Sequence, residues 1–438
     1  KVTEKTSKRP NSSKAPSRAI VDDKSGKPLR TPHRGSKTRR ALKVTLVSLL
    51  ALVLVAGGGI GGALYYLQSR MDVGQVDDLL GTNRPKVPTS TVAPSDPKDP
   101  YSGRALNILV MGTDSREGAN TGISADDDEV LMRSDTTFIA HVSADRTRVE
   151  LVSIPRDTLI YIPDCQDAEG YVVYGAGWYQ KFNAAFAFGA DAGDISTGAA
   201  CTIRAVEEMS GVYIDAYVVI DFAGFVKVVD AIGGLDVTMR CDLYSEKAGG
   251  LDLPEGVAHL DGYTAVQLAR ARTGDGVGDG SDLNRIKRQQ ALVKALFAKI
   301  VAMDYVSDFP KLYGLASAVL GSLSTNLADG NLLKMVGFGL SMKNFNPDTI
   351  YSITIPVGSA PDGGSVLLLD WLADPIWDAL RNDTPLPRDD DDDDADVGDD
   401  SWYGDQNGGG TVAGASTNLP DAGPPPPPYI QSESDCWW

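Results

Sequence analysis

Short apolar runs alternate with amphipathic stretches through the middle of the chain. The runs are rich in branched apolar residues, are four to eight residues long and end at polar or turn-forming positions, which is typical of strands. Strands are predicted at Leu106–Met111, Thr136–Val142, Arg148–Ile154, Asp215–Ile220, Leu235–Met239 and Tyr351–Ile355. The second and third runs lie so close together in sequence that they are expected to form a hairpin.

Other segments carry apolar residues at intervals of three and four, the period of a helix with one buried face. The clearest such segment is Asp282–Met303. Helices are also predicted at Lys181–Gly189, Ala199–Met209, Phe222–Ala231, Asp261–Ala269, Leu312–Leu323, Leu332–Ser341 and Val366–Leu380. Because strands and helices alternate, the pattern predicts an α/β fold with a central mixed β-sheet flanked by helices.

One apolar segment is longer than the others. Val44–Leu67 runs for 24 residues without a charged side chain, and at about 1.5 Å per residue it would exceed the roughly 30 Å hydrocarbon core of a membrane. Lys and Arg dominate the residues before it, so the positive-inside rule predicts one transmembrane helix with a cytoplasmic N-terminus. A cleaved signal peptide is the alternative, but no small-residue cleavage site is visible.

Composition divides the chain into five parts. We expect a disordered basic tail (1–43), a transmembrane helix (44–67), an extracytoplasmic linker (68–100), one catalytic domain (101–383) and a disordered acidic, Pro-rich tail (384–438). The formal net charge is −18, and the first 43 residues carry +11, which leaves −29 for the remainder. This acidic balance argues against nucleic acid as a partner.

The four cysteines predict a disulfide rather than a metal centre. None belongs to a CxxC pair and no histidine stands at zinc-ligand spacing. Disulfides persist outside the cell. We predict that Cys165, after a strand-end loop, is joined to Cys201, which begins a predicted helix 36 residues later. A pairing of Cys241 with Cys436 stays open.

Several common chemistries lack their motifs. The chain has three histidines, His33, His141 and His259, and no G-x-S-x-G nucleophile elbow. It has no G-x-x-x-x-G-K-[ST] phosphate loop, and no G-x-G-x-x-G follows the first predicted strand. Serine-hydrolase and P-loop nucleotidase mechanisms are therefore not expected.

Carboxylates and guanidinium groups recur where the predicted elements end. The blocks are Gly112–Arg116, Arg133–Thr136, Pro155–Thr158, Ala269–Arg272 and Asp282–Gln290. Ligands of α/β proteins bind at strand ends, carboxylates there suit Mg²⁺, and arginines suit phosphate or pyrophosphate. Each residue taken singly is better explained as a turn cap or a surface ion pair, but their joint occurrence at element ends indicates metal-assisted chemistry on phosphate.

In these blocks the sequence resembles the LytR-CpsA-Psr family over Leu106–Lys299. The matching segments occur in the family's order and are Asn107–Arg116, Arg133–Thr136, Ser153–Thr158, Lys181–Ala185, Tyr217–Phe222, Arg270–Arg272 and Asp282–Gln290. The resemblance implies a mixed sheet with an apolar pocket for a polyprenyl chain. It also implies a membrane-anchored phosphotransferase that moves a glycopolymer from a polyprenyl-pyrophosphate carrier onto peptidoglycan in a Gram-positive type of envelope.

The resemblance further implies roles for individual residues. Asp114 and Asp135 would bind Mg²⁺ or Mn²⁺. The pyrophosphate would be bound by Arg116, Arg133, Arg156, Lys181, Arg270, Arg272, Arg285 and Gln289. The residues implied as catalytic are Arg133, Arg156, Arg270, Arg272, Asp282, Arg285 and Gln289. From the residues themselves, histidine supplies no obvious general base; a carboxylate such as Asp157, or a metal-bound oxygen, could serve.

Two other functions stay open at this stage. A hydrolase that cleaves the polyprenyl pyrophosphate with water would use the same residues. A membrane-bound transcriptional regulator would rest on the basic segment Lys1–Arg40 alone, which the membrane topology explains better. Phe182, Phe186, Phe188, Phe222 and Phe225 could line a lipid pocket or pack in the core. The sequence names neither the polymer nor the acceptor sugar.

Overall fold

The computed structural model of the protein describes most of the predicted domain. The described residues are 62–63, 65–74, 76–88, 99–113, 132–167, 169–173, 177–192, 194–277, 282–303, 309–320 and 322–388. Those from Ala63 onward belong to one structural unit. Both predicted tails lie outside these ranges apart from the segment 384–388, and most of the predicted transmembrane segment also lies outside them. Among the described residues, no helix has the length and apolarity needed to cross a membrane.

The strands are numbered here in chain order. They are β1 (Asp72–Val73), β2 (Leu106–Thr113), β3 (Ser134–Val142), β4 (Val149–Ile154), β5 (Thr158–Ile162), β6 (Trp178–Lys181), β7 (Ala216–Asp221), β8 (Leu235–Met239), β9 (Leu243–Ser245), β10 (Leu251–Leu253), β11 (Gly256–Leu260), β12 (Leu323–Thr325), β13 (Tyr351–Thr354), β14 (Val357–Ser359) and β15 (Val366–Leu368).

The helices are numbered in the same way. They are α1 (Asp77–Leu80), α2 (Ala184–Ala192), α3 (Ile195–Ser210), α4 (Phe222–Ala231), α5 (Gly262–Arg270), α6 (Asp282–Val301), α7 (Phe309–Leu320), α8 (Leu332–Ser341) and α9 (Asp370–Asn382). Short 3₁₀ turns occur at Glu246–Ala248, Leu327–Gly330 and Pro347–Thr349.

In the described part of the chain, seven strands form the central sheet in the order β1-β12-β7-β2-β3-β4-β13. The predicted hairpin is confirmed, because β3 and β4 pair in antiparallel register. The sheet is mixed: β2 is antiparallel to β3 and parallel to β7. The predicted fold class is therefore confirmed for the sheet and the helices around it.

Both faces of the central sheet are covered, which explains why β2 is apolar at successive positions instead of alternating. Leu109 and Met111 pack in a core cluster with residues of α3 and α9. Ile108, on the other face, packs in a second cluster that includes Phe345. Burial on both faces holds the strand ends, and hence the side chains that follow them, in fixed positions.

Two predicted helices begin instead as strands. Lys181 ends β6, and the helix predicted from it starts only at Ala184. Val366–Leu368 pairs with β5 and β14 before α9 begins at Asp370. In both places, pairing with distant strands in a second sheet, of order β14-β15-β5-β6, outweighs the local helical period.

Part of the predicted linker packs on the domain. Within the range 68–100, β1 pairs in parallel with β12. Arg84 donates from Nη2 to Glu207 Oε1 at 2.6 Å, and both side chains are largely buried. Asp72, Val73 and Arg84 therefore belong to the folded unit. A hydrogen bond from Leu386 N to Glu150 Oε1 extends that unit slightly beyond the predicted C-terminal boundary.

The predicted disulfide is confirmed. Cys165 and Cys201 are bonded, with Cα atoms 5.4 Å apart, and both are buried against Val173. The bond ties the loop after β5 to α3. Cys436 lies outside the described residues, so its pairing with Cys241 stays a prediction.

Candidate active site

Four strand termini meet at one edge of the central sheet, which we call the site edge. Thr113, the last residue of β2, pairs with Ser134 of β3 and with Asp221 of β7. Thr137 of β3 pairs with Ile154, the last residue of β4. The ends of β2, β4 and β7 and the start of β3 are thus neighbours. Asp114 and Arg116 follow β2 directly in sequence but lie outside the described residues, so their roles stay predictions.

A chain of alternating charges runs along the site edge. Arg156 Nη1 donates to Asp135 Oδ1 at 2.7 Å, and its Nε lies 3.4 Å from Asp157 Oδ2. Lys181 Nζ donates to Asp157 Oδ1 at 2.8 Å and to the carbonyl of Gly364 at 2.7 Å. The side chains of Asp135 and Arg156 are each 21% exposed. Three segments distant in sequence thereby bring their charges together.

Cations converge on Asp135. Burial by itself would raise the pKa of this carboxyl, but Arg156, Arg285 and Arg272 outweigh burial and hold the pKa below its ordinary value. Asp135 is therefore ionised at neutral pH. Arg156, Arg285 and Arg272 thus act together on Asp135, and the positive charges of these arginines suit a phosphate or pyrophosphate ligand.

Helix α6 lies behind this edge. Arg285 Nη2 donates to the carbonyl of Asp135 at 3.1 Å, while Gln289 Nε2 makes a longer bond of 3.3 Å to the carbonyl of Ala269. A small cavity of about 10 Å³ lies between α6 and the sheet, lined by Asp135, Gln289 and residues of β3 and β4. It has room for about one water molecule. Asp282 begins α6, and its side chain lies outside the described residues.

The remaining predicted residues approach the edge from α5 and the loop after it. Arg270 stacks on Phe222 at the start of α4, with Cζ 5.1 Å from the ring centroid. Arg272 is exposed and close enough to Asp135 to lower its pKa. Arg133, just before β3, is also exposed.

A model of a known protein family matches most of the described domain. The model of the LytR_cpsA_psr family matches residues 76–373, and this span includes every residue of the site edge. The chain belongs to the LytR_cpsA_psr family. The resemblance predicted from the sequence is therefore confirmed.

Relatives in this family act in cell-wall assembly. One is the polyisoprenyl-teichoic acid–peptidoglycan teichoic acid transferase TagU of Enterococcus faecalis, 29% identical over 293 residues, which span 67% of this chain and 79% of that protein. Another is the cell wall biosynthesis protein LcpA of Corynebacterium glutamicum, 29% identical over 286 residues, which span 61% of this chain and 53% of that protein. The crystal structure of Bacillus subtilis TagV is 22% identical and covers 64% of this chain and 98% of that one, with a TM-score of 0.46.

One residue that holds the site together was not predicted. Arg288 is 1% exposed; its guanidinium donates to the carbonyl of Val277 at 2.6 Å and to that of Ala271. It therefore fixes both ends of the segment that carries Arg272. The helical period contains a signal for it, because Arg288 stands four residues before the buried Leu292 and so shares its face.

Gln290 is a second residue that sequence reasoning did not select. Its Nε2 donates to Ser153 Oγ at 2.9 Å and to the carbonyl of Ile353 at 3.3 Å. These hydrogen bonds join α6 to β4 and β13. They therefore help to hold α6, and Arg285 on it, in a fixed position relative to the sheet. Nothing in the amphipathic pattern of α6 distinguishes Gln290 from an exposed glutamine.

The aromatic residues considered for a lipid pocket lie mainly in the core. Phe182 and Phe186 are fully buried in the larger core cluster, and Phe188 packs against it. Phe225 is partly buried against a different cluster, which includes Val229 and Leu235. Core packing therefore explains most of this set.

Asp135 is the predicted metal ligand that lies among the described residues. Asp135 supplies an ionised carboxylate, and its Oδ1 already accepts a hydrogen bond from Arg156. In the part of the chain that the structure describes, no three His, Cys, Asp or Glu side chains form a group able to bind a metal ion. The second predicted ligand, Asp114, lies outside that part. The described carboxylate suits Mg²⁺ chemically, since this ion takes one or two carboxylates together with phosphate oxygens.

Proposed function

We propose that this protein is a membrane-anchored phosphotransferase that moves a glycopolymer from a polyprenyl-pyrophosphate carrier onto peptidoglycan. The observation that carries the proposal is the convergence of Arg156, Arg272 and Arg285 on Asp135 at the site edge. The names of TagU and LcpA support the same class of reaction. Neither the convergence of arginines nor the names of the relatives specifies the polymer or the acceptor sugar.

The geometry suits binding of the donor pyrophosphate. A guanidinium group can donate two parallel hydrogen bonds to phosphate oxygens, and Arg156 and Arg272, from two different segments of the chain, both act on the Asp135 carboxylate. Arg285 comes from helix α6, whose position is fixed by Gln290. Cations held in place before the donor binds stabilise the charge that develops on the leaving group without reorganisation.

The reaction exchanges one P–O bond for another. A hydroxyl of the acceptor sugar attacks the phosphorus that bears the glycan, and the bond from this phosphorus to the bridging oxygen breaks. Polyprenyl phosphate leaves with the electron pair, and the arginines offset its charge. The hydroxyl proton needs an acceptor, and we assign Asp157, which is 24% exposed and contacts both Arg156 and Lys181.

Mg²⁺ or Mn²⁺ belongs to the proposal as a cofactor. Asp135 would bind it together with Asp114. When bound, the ion would supply further positive charge at the pyrophosphate oxygens. Membrane anchorage belongs to the proposal as well, with residues 44–67 as a single span and the domain outside the cell; the 24-residue uncharged segment supports it.

The test is an assay of polyprenyl phosphate released from a pyrophosphate-linked donor, with and without Mg²⁺ and with and without peptidoglycan fragments. Asp135→Ala and Arg272→Lys should both lose most activity. Arg381→Lys is the matched control, because Arg381 pairs with Asp378 and donates to the carbonyl of Ser210, at the end of α3 that precedes the start of β7 rather than at the site edge. Wild-type rates in both site variants would refute the proposal. Release that does not depend on the peptidoglycan acceptor would instead indicate a hydrolase.

A further inference from the structure

Helix α8 exposes a row of apolar side chains. Leu333, Val336 and Leu340 are 64%, 46% and 40% exposed, and their spacing of three and four residues places them on one face of the helix. The opposite face is packed: Leu332 is buried, and Phe338 stacks edge-on against Tyr101 with ring centroids 5.8 Å apart. Such a row on a soluble surface commonly marks an interaction site.

The start of α8 is joined to the end of the long apolar segment. Gln68 Nε2 donates to the carbonyl of Gly330 at 2.7 Å, and Gln68 Oε1 accepts from the backbone N–H of Leu332 at 2.9 Å. Leu67, the last residue of that segment, packs in a cluster with Leu332 and Leu320. The chain is therefore held against α8 at the point where the predicted membrane span ends.

This attachment to the domain begins directly after the last residue of the predicted span. A free linker would let the domain move away from the bilayer, but Gln68 is bound and β1 follows only a few residues later. The exposed row covers about 10 Å along the helix, at 1.5 Å rise per residue. The exposed row on α8 therefore begins next to Leu332, the residue that Leu67 and Gln68 contact at the end of the predicted span.

We propose that Leu333, Val336 and Leu340 insert into the outer surface of the membrane that anchors the chain, so that α8 lies along the lipid interface. The proposal rests on the anchor, which is part of the proposed function. Interfacial helices bury a narrow apolar face in this way. A lipid-bound α8 would hold the domain at two points and restrict its rotation relative to the membrane.

The surroundings of α8 suit an interface with lipid. Tyr65 and Tyr66 are exposed beside Leu67, and tyrosine is enriched where membrane meets water. Arg70 Nη2 donates to Tyr66 Oη at 2.6 Å. Beyond the helix, Lys343 is exposed and available to lipid phosphates. Lys334, by contrast, is paired with Asp329.

Lipid-quenching measurements on the full chain in vesicles can test this. Tyr65→Cys, Val336→Cys and Val257→Cys, each introduced in a separate variant, would carry an environment-sensitive dye. The vesicles would contain lipids with a spin label near the headgroup. Val257, on β11, is the control because it is an exposed β-branched residue like Val336. The parent chain treated with the same dye measures background labelling.

Dye at Val336 should lose most of its fluorescence in spin-labelled vesicles, as dye at Tyr65 should, whereas dye at Val257 should keep it. Adding Leu333→Ser and Leu340→Ser should weaken the quenching at Val336, and thermal unfolding would check that these variants fold. Quenching at Tyr65 without quenching at Val336 would overturn the role of α8 while leaving the anchor intact. If Tyr65 also escaped quenching, the anchor itself would be refuted. Shielding of Val336 from both lipid and aqueous quenchers would indicate a protein partner and overturn the proposal.

Discussion

The two ends of the central sheet both carry arginine–carboxylate pairs, yet they serve different purposes. At the end opposite the site edge, Arg146 donates to Asp99 Oδ2 at 2.9 Å and to the carbonyls of Tyr101, Ser143 and Arg104. Its side chain is 5% exposed. At the site edge, Arg156 and Asp135 are each 21% exposed and share their surroundings with further cations.

The difference shows that residue type does not separate a structural ion pair from a binding site. Around Arg146, backbone carbonyls and one carboxylate surround the guanidinium, so the protein satisfies its own charge. Around Asp135, three arginines act on one carboxylate, and such an excess of positive charge is relieved by an anionic ligand. The exposure of the pair and the balance of charge around it therefore distinguish the structural pair of Arg146 and Asp99 from the candidate binding pair of Arg156 and Asp135.

The largest effect on stability is expected at the end of the sheet opposite the site edge. Arg146→Ala leaves Asp99 buried and without its guanidinium partner, so the free energy of unfolding should fall by about 3–5 kcal/mol. Denaturant unfolding of the full chain in detergent would measure it. Lys299→Ala is the control: it removes an exposed pair with Asp236, which typically contributes about 0.2–1 kcal/mol. Equal losses in the two variants would contradict the distinction.

At the site edge the effect should shift from stability to activity. Arg156→Ala should lower the rate of polyprenyl phosphate release by about 10²–10³-fold, the usual cost of removing one preorganised group that stabilises charge. Its free energy of unfolding should change less than that of Arg146→Ala, because the pair is partly exposed. If Arg156→Ala instead lowered the free energy of unfolding strongly but left the rate of polyprenyl phosphate release unchanged, Arg156 would be a structural residue like Arg146.

Arg288 is buried like Arg146, but its hydrogen bonds hold the segment between Ala271 and Val277 that carries Arg272 of the candidate site. Arg288→Lys keeps the charge and loses the planar fork, so at least one of the carbonyls of Ala271 and Val277 loses its donor. We expect a loss of about 1–3 kcal/mol in unfolding free energy together with a raised KM for the donor. Arg288→Met, which lacks the charge as well, should raise KM further. An unchanged KM in both variants would show that the segment is held by other contacts.

The smallest effect concerns pH. Burial alone would raise the pKa of Asp135, but the neighbouring arginines lower it. The folded state therefore binds fewer protons than the unfolded state, and the stability from Asp135 is present above the ordinary carboxyl pKa of about 4. It is lost as pH falls through the folded pKa. The stability difference between wild type and Asp135→Asn should thus shrink in acid, and a constant difference from about pH 5 to pH 2 would contradict this.

Much of the fold could be predicted from local pattern. The hairpin of β3 and β4 follows from two apolar runs with a short turn between them, and α6 follows from its long apolar period. The strand at Val366 could not be predicted, because the same three residues suit a helix until β5 and β14 provide backbone partners. Likewise, Lys181 ends a strand only because β5 pairs with β6.

The candidate site divides in the same way. Asp135, Arg156 and Arg285 could be selected because their charges occur where strands end or on one face of a helix. Arg288 and Gln290 could not be selected, since their importance depends on which carbonyl and hydroxyl groups surround them. Asp114 and Arg116 were selected on the same grounds as Asp135, and their roles remain predictions.

The sequence by itself determined the α/β class, the family and the chemical types present at the site edge, because these depend on periods and motifs within short stretches of chain. The tertiary structure alone decided that Arg146 is enclosed by its own carboxylate and carbonyl partners, whereas Arg156 is partly exposed at the site edge. It also placed Gln68 against Gly330, 262 residues away in sequence, and so joined the end of the apolar segment to the exposed row on α8. Burial and hydrogen bonding depend on atoms that are distant along the chain, and no local pattern records their positions.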